Sequence, residues 1–177
     1  PKSLSQTLYS IGIERGKMVK FMKNFVEGSE FLAIDLTHVF SLSEDVISAT
    51  LGHNSEEEYT PQINIVLIFS LDKGHPSFFR MVPGSIRDVS AIPLTIREAG
   101  IEKAVIIGDK GLYSDDNIKF FEGEKLEYIL PLKRNNSLID YMPIQSGDRK
   151  SFDGFFLFEK RVIWYYERRK GDRKIIV

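Results

Sequence analysis

The chain has 177 residues, 42% of them hydrophobic, with 24 Lys and Arg against 25 Asp and Glu and no cysteine. That length and apolar content suit one domain of ordinary size, or a domain with an appendage, and argue against a disordered chain. The near-zero net charge excludes a globally basic polyanion binder and leaves any basic surface local, while the missing cysteines exclude disulfides, thiolate metal sites and a cysteine nucleophile, and suit a reducing cytoplasm.

Residues 1–28 are polar and basic, with Met18, Phe21, Met22 and Phe25 at offsets that match one helical face, and Gly28 as a stop. This N-terminal helical segment is followed by a first strand over residues 30–36, Phe31-Leu32-Ala33-Ile34 ending at Asp35. Thr37 to Thr60, with the acidic clusters Glu44-Asp45 and Glu56-Glu57-Glu58, reads as a long loop. Gln62–Leu71 and Pro76–Val82 form a hairpin about the turn Asp72-Lys73-Gly74. Asp88–Ala99 has helical spacing at Val89, Ile92, Ile96 and Ala99, with Gly100 as its C-cap. Lys103–Gly108 is a nearly all-apolar strand, of the kind covered on both faces, and leads to Asp109. A short helix, Ser114–Glu122, begins with capping residues, and Tyr128–Leu132 is another apolar strand.

Beyond Asn135 the pattern changes to aromatic and β-branched runs at Phe152–Phe158, Val162–Glu167 and Arg173–Val177, separated by turn residues. These predict an antiparallel β meander. The predicted division is a helical segment over 1–28, an α/β core over 29–135 and a β-rich part over 136–177. In the core, a hairpin joined to βαβ units gives a mixed sheet with flanking helices. In such a sheet the first strand can lie beside the strand ending at Asp109, and the two carboxylates would then emerge at neighbouring points on one edge.

No apolar run approaches the ~20 residues needed to cross a bilayer, and nothing at the N-terminus resembles a signal peptide, so no membrane partner is expected. The chain opens at Pro1 and ends at Val177 inside a strand-like run. A fragment of a longer protein is the expectation; N-terminal processing with a natural terminal strand is the alternative.

Asp35 and Asp109 are the residue type that holds magnesium or manganese, placed on elements rigid enough to do it. A strand-terminal Asp is also an ordinary turn former or helix cap. Lys110, Lys133 and Arg134 lie near the same edge in this layout and are candidates for phosphate contact; as exposed cations their bland reading is a solvated surface. Arg168-Arg169-Lys170 beside Trp164, Tyr165 and Tyr166 mixes basic and aromatic groups as nucleic-acid surfaces do, but a hairpin with a solvated turn fits the pattern better. His38, His53 and His75 share no metal-ligand spacing, and Gly108-Asp109-Lys110-Gly111 lacks the pattern of a phosphate-cradling loop.

Three segments, in order, resemble the DDE transposases of bacterial and archaeal insertion sequences. Asp35-Leu36-Thr37 resembles that family's first-aspartate segment. Gly74-His75-Pro76 through Pro83-Gly84-Ser85-Ile86-Arg87-Asp88 resembles its hairpin and following turn, with Ser85 where Asn is usual. Ile107-Gly108-Asp109-Lys110-Gly111-Leu112-Tyr113-Ser114 resembles its second-aspartate segment, with Lys110 where Arg is usual. Tyr128 to Arg134 matches the strand and basic pair that follow, so the resemblance covers roughly Phe31 to Asn135. It implies a ribonuclease H-like catalytic domain, with Asp35 and Asp109 as catalytic and metal-binding acids. It further implies two Mg²⁺ or Mn²⁺ ions in the complete enzyme, a double-stranded DNA substrate (transposon ends and target), a homodimer in the active complex, and a cytoplasmic, nucleoid-associated setting.

The family also calls for a Glu on a helix after the β insertion. Glu159 and Glu167 lie in the predicted meander, not on such a helix. A fragment inactive by itself is therefore expected. A metal-dependent nuclease of the same fold and a degenerate domain that only binds DNA or protein are the alternatives.

Overall fold

The computed structural model describes residues 3–43, 45–52, 60–86 and 88–177. Glu44, His53, Glu56-Glu57-Glu58 and Arg87, which figure in the sequence reading, lie outside the described residues. Two compact units are present, residues 1–131 and 132–177.

The first unit runs α1 (Leu4–Gly12), α2 (Arg15–Val26), β1 (Phe31–Phe40), β2 (Gln62–Ser70), β3 (His75–Pro83), α3 (Asp88–Ala99), β4 (Val105–Gly108), α4 (Asp115–Gly123) and β5 (Glu127–Ile129). The five strands form one sheet in the order β3-β2-β1-β4-β5. β1, β2 and β3 are antiparallel neighbours, whereas β4 runs parallel to β1 and β5 parallel to β4. The expected mixed sheet with helices is therefore the observed one.

Side chains alternate across this sheet with period two. Leu32 and Ile34 of β1 stand opposite Ser70 and Ile68 of β2, and all four are buried. The same core takes in Phe78 and Val82 from β3, Ile106 from β4, Ile92 and Ile96 from α3, and Ile118 and Phe121 from α4. Each such aliphatic or aromatic side chain contributes about 1.5–3 kcal/mol of burial. The other face of β1 is open by comparison, with Asp35, Thr37 and Val39 all exposed.

Two boundaries differ from the sequence reading. β1 does not end at Asp35 but continues to Phe40, because its antiparallel ladder with β2 runs on from Leu36↔Val66 to Phe40↔Gln62. What stops near Asp35 is the parallel ladder with β4, whose last pair is Ile34↔Gly108. In α2, the inner stripe is Met18, Val19, Met22 and Val26, not the expected Met18, Phe21, Met22 and Phe25. Phe21 is 64% exposed and packs its ring 5.0 Å from that of Phe25 at the flank of the helix. The helix is tied down by Arg15, which donates to Glu98 of α3 at 2.7 Å and to the Phe79 carbonyl of β3 at 3.2 Å.

The second unit holds α5 (Met142–Ser146), a 3-10 turn (Arg149–Ser151), and two hairpins, β6 (Gly154–Phe158) with β7 (Arg161–Tyr165) and β8 (Glu167–Lys170) with β9 (Arg173–Ile176). The expected single meander is thus two separate two-stranded sheets. Arg168-Arg169-Lys170 belongs to β8, paired with Lys174 and its neighbours, and is not a turn. Tyr166 and Ile175 are its buried apolar residues. Around Trp164 gather Phe155, Phe152 and the Arg149 guanidinium, at 5.1, 6.1 and 5.5 Å.

The β6–β7 loop is two residues long, and both, Glu159 and Lys160, have positive φ (46° and 64°). A type I′ turn demands this, and Asn-Gly satisfies it without strain. Replacing Lys160 with Gly is expected to stabilise this unit by about 0.5–1 kcal/mol. Chemical denaturation followed by Trp164 fluorescence measures it; an unchanged or lower midpoint would refute the strain assigned to the turn.

Candidate active site

β1 and β4 are the two central parallel strands, and their last paired residues are Ile34 and Gly108. Asp35 and Asp109 are in each case the next residue along. Both are exposed, and both line one cleft of about 70 Å³. Leu36 of β1, Ile92 of α3, Gly111 and Leu112 of the loop after β4, and Asn117 of α4 complete its wall. The expected convergence of the two acids follows directly from the register: where β4 turns away, β1 loses one neighbour and a gap opens beside it.

The turn after β4 is built to hold Asp109. The Gly111 N–H donates to Asp109 Oδ1 at 2.8 Å, and the Leu112 N–H donates to the Asp109 carbonyl at 3.2 Å. This is an Asx-type turn, in which the carboxylate is fixed by its own backbone. The glycines on either side follow from close approach. A Cβ at Gly111 would stand 3.0 Å from Asp109 Oδ1, and one at Gly108 only 2.5 Å from Leu112 Cδ2. Lys110, between them, is exposed.

α4 starts where this turn ends. Ser114 is its N-cap, its hydroxyl accepting from the Asn117 N–H at 3.2 Å. Asn117 is 1% exposed. Its Nδ2 donates to the Leu112 carbonyl at 2.9 Å, which clasps the Asp109 turn to the helix. Its Oδ1 is buried with no hydrogen-bond partner, the one such side-chain atom among the described residues. Leaving a buried carbonyl unpaired costs about 1–3 kcal/mol. Sequence reasoning did not single out Asn117. The available signal was a polar residue on the same helical face as Ile118 and Phe121.

Lys133 and Arg134 are exposed and belong to the second unit, as do Glu159 and Glu167. Glu159 occupies the strained β6–β7 turn, and Glu167 pairs with Lys174 at 2.7 Å. Among the described residues, no three His, Asp or Glu side chains gather into a metal-holding cluster, and His38 and His75 are not brought together with the two aspartates in the cleft. The donors of the cleft are oxygens, two carboxylates and a buried carbonyl. That is the chemistry magnesium or manganese prefers, and magnesium sites normally take one or two carboxylates and keep several waters. The residues present fit such an ion.

A five-stranded sheet in the order 3-2-1-4-5, antiparallel through its first three strands and parallel through the rest, with helices packed on it, is the ribonuclease H-like class of fold. Within that class, a family model described as "Transposase DDE domain" matches residues 27–174, and the chain belongs to that family. Among solved structures it is similar to a piggyBac transposase synaptic complex with hairpin DNA, at 12% identity and a TM-score of 0.43, covering 82% of this chain and 32% of that one. It is also similar to a Mos1 transposase paired-end complex with the left transposon end, at 9% identity and a TM-score of 0.38, covering 73% and 41%. The chain thus spans less than half the length of either structure. No curated protein matches it. No helix among the described residues is long and apolar enough to cross a membrane.

Proposed function

We propose that this protein carries out the chemical steps of transposition: cleavage of DNA at the ends of a mobile element and joining of those ends to target DNA. The observation that carries the reading is the placement of Asp35 and Asp109 in one cleft at the mouth of two parallel strands, within a chain of the transposase family. Asp35 and Asp109 are the catalytic acids, and together they hold Mg²⁺ or Mn²⁺, which supplies positive charge to phosphoryl transfer when bound. The Asp109 turn fixes the direction of one carboxylate in advance, so little reorganisation is left for the moment of reaction. A third carboxylate completes a two-ion site from outside the described residues, downstream of the β-rich segment, and the 177-residue chain by itself is inactive.

Lys110 stands next to Asp109 and contacts the DNA backbone there; Lys133 and Arg134, which belong to the second unit, also contact DNA phosphates. The distribution of charge favours this. Residues 132–177 hold 11 of the 24 Lys and Arg but only 6 of the 25 Asp and Glu, so this stretch is basic while the rest of the chain is acidic. A local basic surface of this kind is what sequence-independent phosphate binding requires. The active complex is a homodimer that pairs two element ends.

The deciding experiment is a Mn²⁺-dependent assay of the complete transposase on DNA carrying the element's ends. Cleavage followed by joining to a target duplex is expected. Hydrolysis without joining would make the protein a nuclease of this fold, and binding without either reaction a degenerate domain. Robust strand transfer by the 177-residue chain alone would refute the external third acid.

A further inference from the structure

Asn117 presents a requirement that the acidic pair does not explain. Its Nδ2 is committed to the Leu112 carbonyl, which needs a donor, and this fixes which way the amide lies. Its Oδ1 then has no protein partner although the residue is 1% exposed. The same residue lines the cleft that Asp35 and Asp109 share. A water site needs roughly 10–15 Å³ and two to four polar partners. The cleft has about 70 Å³, and its polar side chains are the two carboxylates and this amide.

We infer that Asn117 is a positioning residue that holds an ordered water in the cleft: the water donates one hydrogen to Asn117 Oδ1 and the other to the carboxylate of Asp35 or Asp109. The inference rests on the reading of those two acids as the cation-holding pair and adds a function for α4. The helix clasps the Asp109 turn through Nδ2 and organises the hydration of the acids through Oδ1. Magnesium keeps most of its waters, so a water fixed in advance beside the carboxylates selects how a hydrated ion seats there.

Two substitutions separate this from a purely structural role. Asn117→Leu and Asn117→Asp both lose the donor to Leu112, but only Asp keeps an acceptor oxygen in the place of Oδ1. Mn²⁺ affinity of the full chain, measured from the paramagnetic resonance signal of free ion, is expected to fall about tenfold or more in Asn117→Leu and to stay at or above the parent value in Asn117→Asp. A crystal structure at a resolution that shows waters is expected to place one within hydrogen-bond distance of Asn117 Oδ1 and of one of the two carboxylates. Equal affinities in the two variants, or a dry Oδ1, would overturn the inference. If Asn117→Leu does not fold, an Asn117→Asp affinity below the parent's would overturn it. Failure of the underlying reading is distinguishable: there Mn²⁺ binding survives Asp35→Asn and Asp109→Asn together, whatever happens at Asn117.

Discussion

Asp35→Asn and Asp109→Asn, each made in the complete transposase, are expected to lower DNA cleavage by about a hundredfold to a thousandfold while leaving the fold intact. The size follows from the proposed role: an amide oxygen carries no charge to hold a hard cation, and losing one preorganised electrostatic contact in an active site commonly costs 10²–10³ in rate. The fold is spared because both side chains are exposed. Substitutions at such positions usually change stability by within about 0.5 kcal/mol. Asn at 109 also keeps an Oδ1 for the Gly111 N–H that Asp109 now accepts at 2.8 Å. Single-turnover cleavage with Mn²⁺ measures the first effect and thermal unfolding the second. Retained cleavage in either variant would remove that residue from the chemistry, and a large loss of stability would mean that the acids act through folding.

Phe121→Ala is expected to destabilise the first unit by about 3–5 kcal/mol, a large part of the 5–15 kcal/mol typical of a native domain. Phe121 is fully buried, with its ring 5.6 Å from Tyr128 of β5 and 5.8 Å from Phe120. It pins α4 to the sheet. Asn117 sits one helical turn earlier and ties the Asp109 turn to that same helix. Metal binding is therefore expected to weaken along with stability, at temperatures where the unit is still folded. Phe21→Ala is the control, because Phe21 is 64% exposed and its loss is expected to cost less than about 1 kcal/mol. Equal destabilisation by the two substitutions, in urea titrations of the same protein, would contradict the assignment of the core.

The sheet and the placement of Asp35 and Asp109 at the ends of two strand-like runs were legible because each rests on a local pattern. Ala104 to Gly108 is an apolar run bounded by polar residues, and its helix partners carry clear caps, Ser114 at one end and Gly100 at the other. The helical crossover from β3 makes β4 parallel to β1, and the observed pairing of those two strands brings residue 35 beside residue 109. The end of β1 was not legible. Whether Leu36 to Phe40 is strand depends on the ladder offered by Gln62 to Val66 of β2, distant in sequence, and not on any preference of its own.

The second unit is antiparallel β, as its pattern indicated, but its division into two separate hairpins was not legible. The break between Phe158 and Val162 marked the first turn, but Glu159 and Lys160 carry no sign of the positive φ that the two-residue β6–β7 connection imposes. Arg168-Arg169-Lys170, polar enough to read as a turn, is strand because β9 pairs with it. Net charge hid the basic character of residues 132–177, since a chain-wide sum cancels it against the acidic remainder. Asn117 was hidden for another reason. A buried amide with one unpaired oxygen is a property of three-dimensional surroundings, and its sequence neighbours show only a polar residue on an apolar helical face.

The most direct measurement of the shared acidic site is chain cleavage by Fe²⁺ in place of Mg²⁺, with ascorbate and peroxide generating radicals at the bound ion. Cuts are expected next to both residue 35 and residue 109, competed away by Mn²⁺ and lost from both places when either Asp35 or Asp109 is changed to Asn. Cuts at only one of the two, or cuts elsewhere that persist in both variants, would contradict a cation held jointly by these carboxylates.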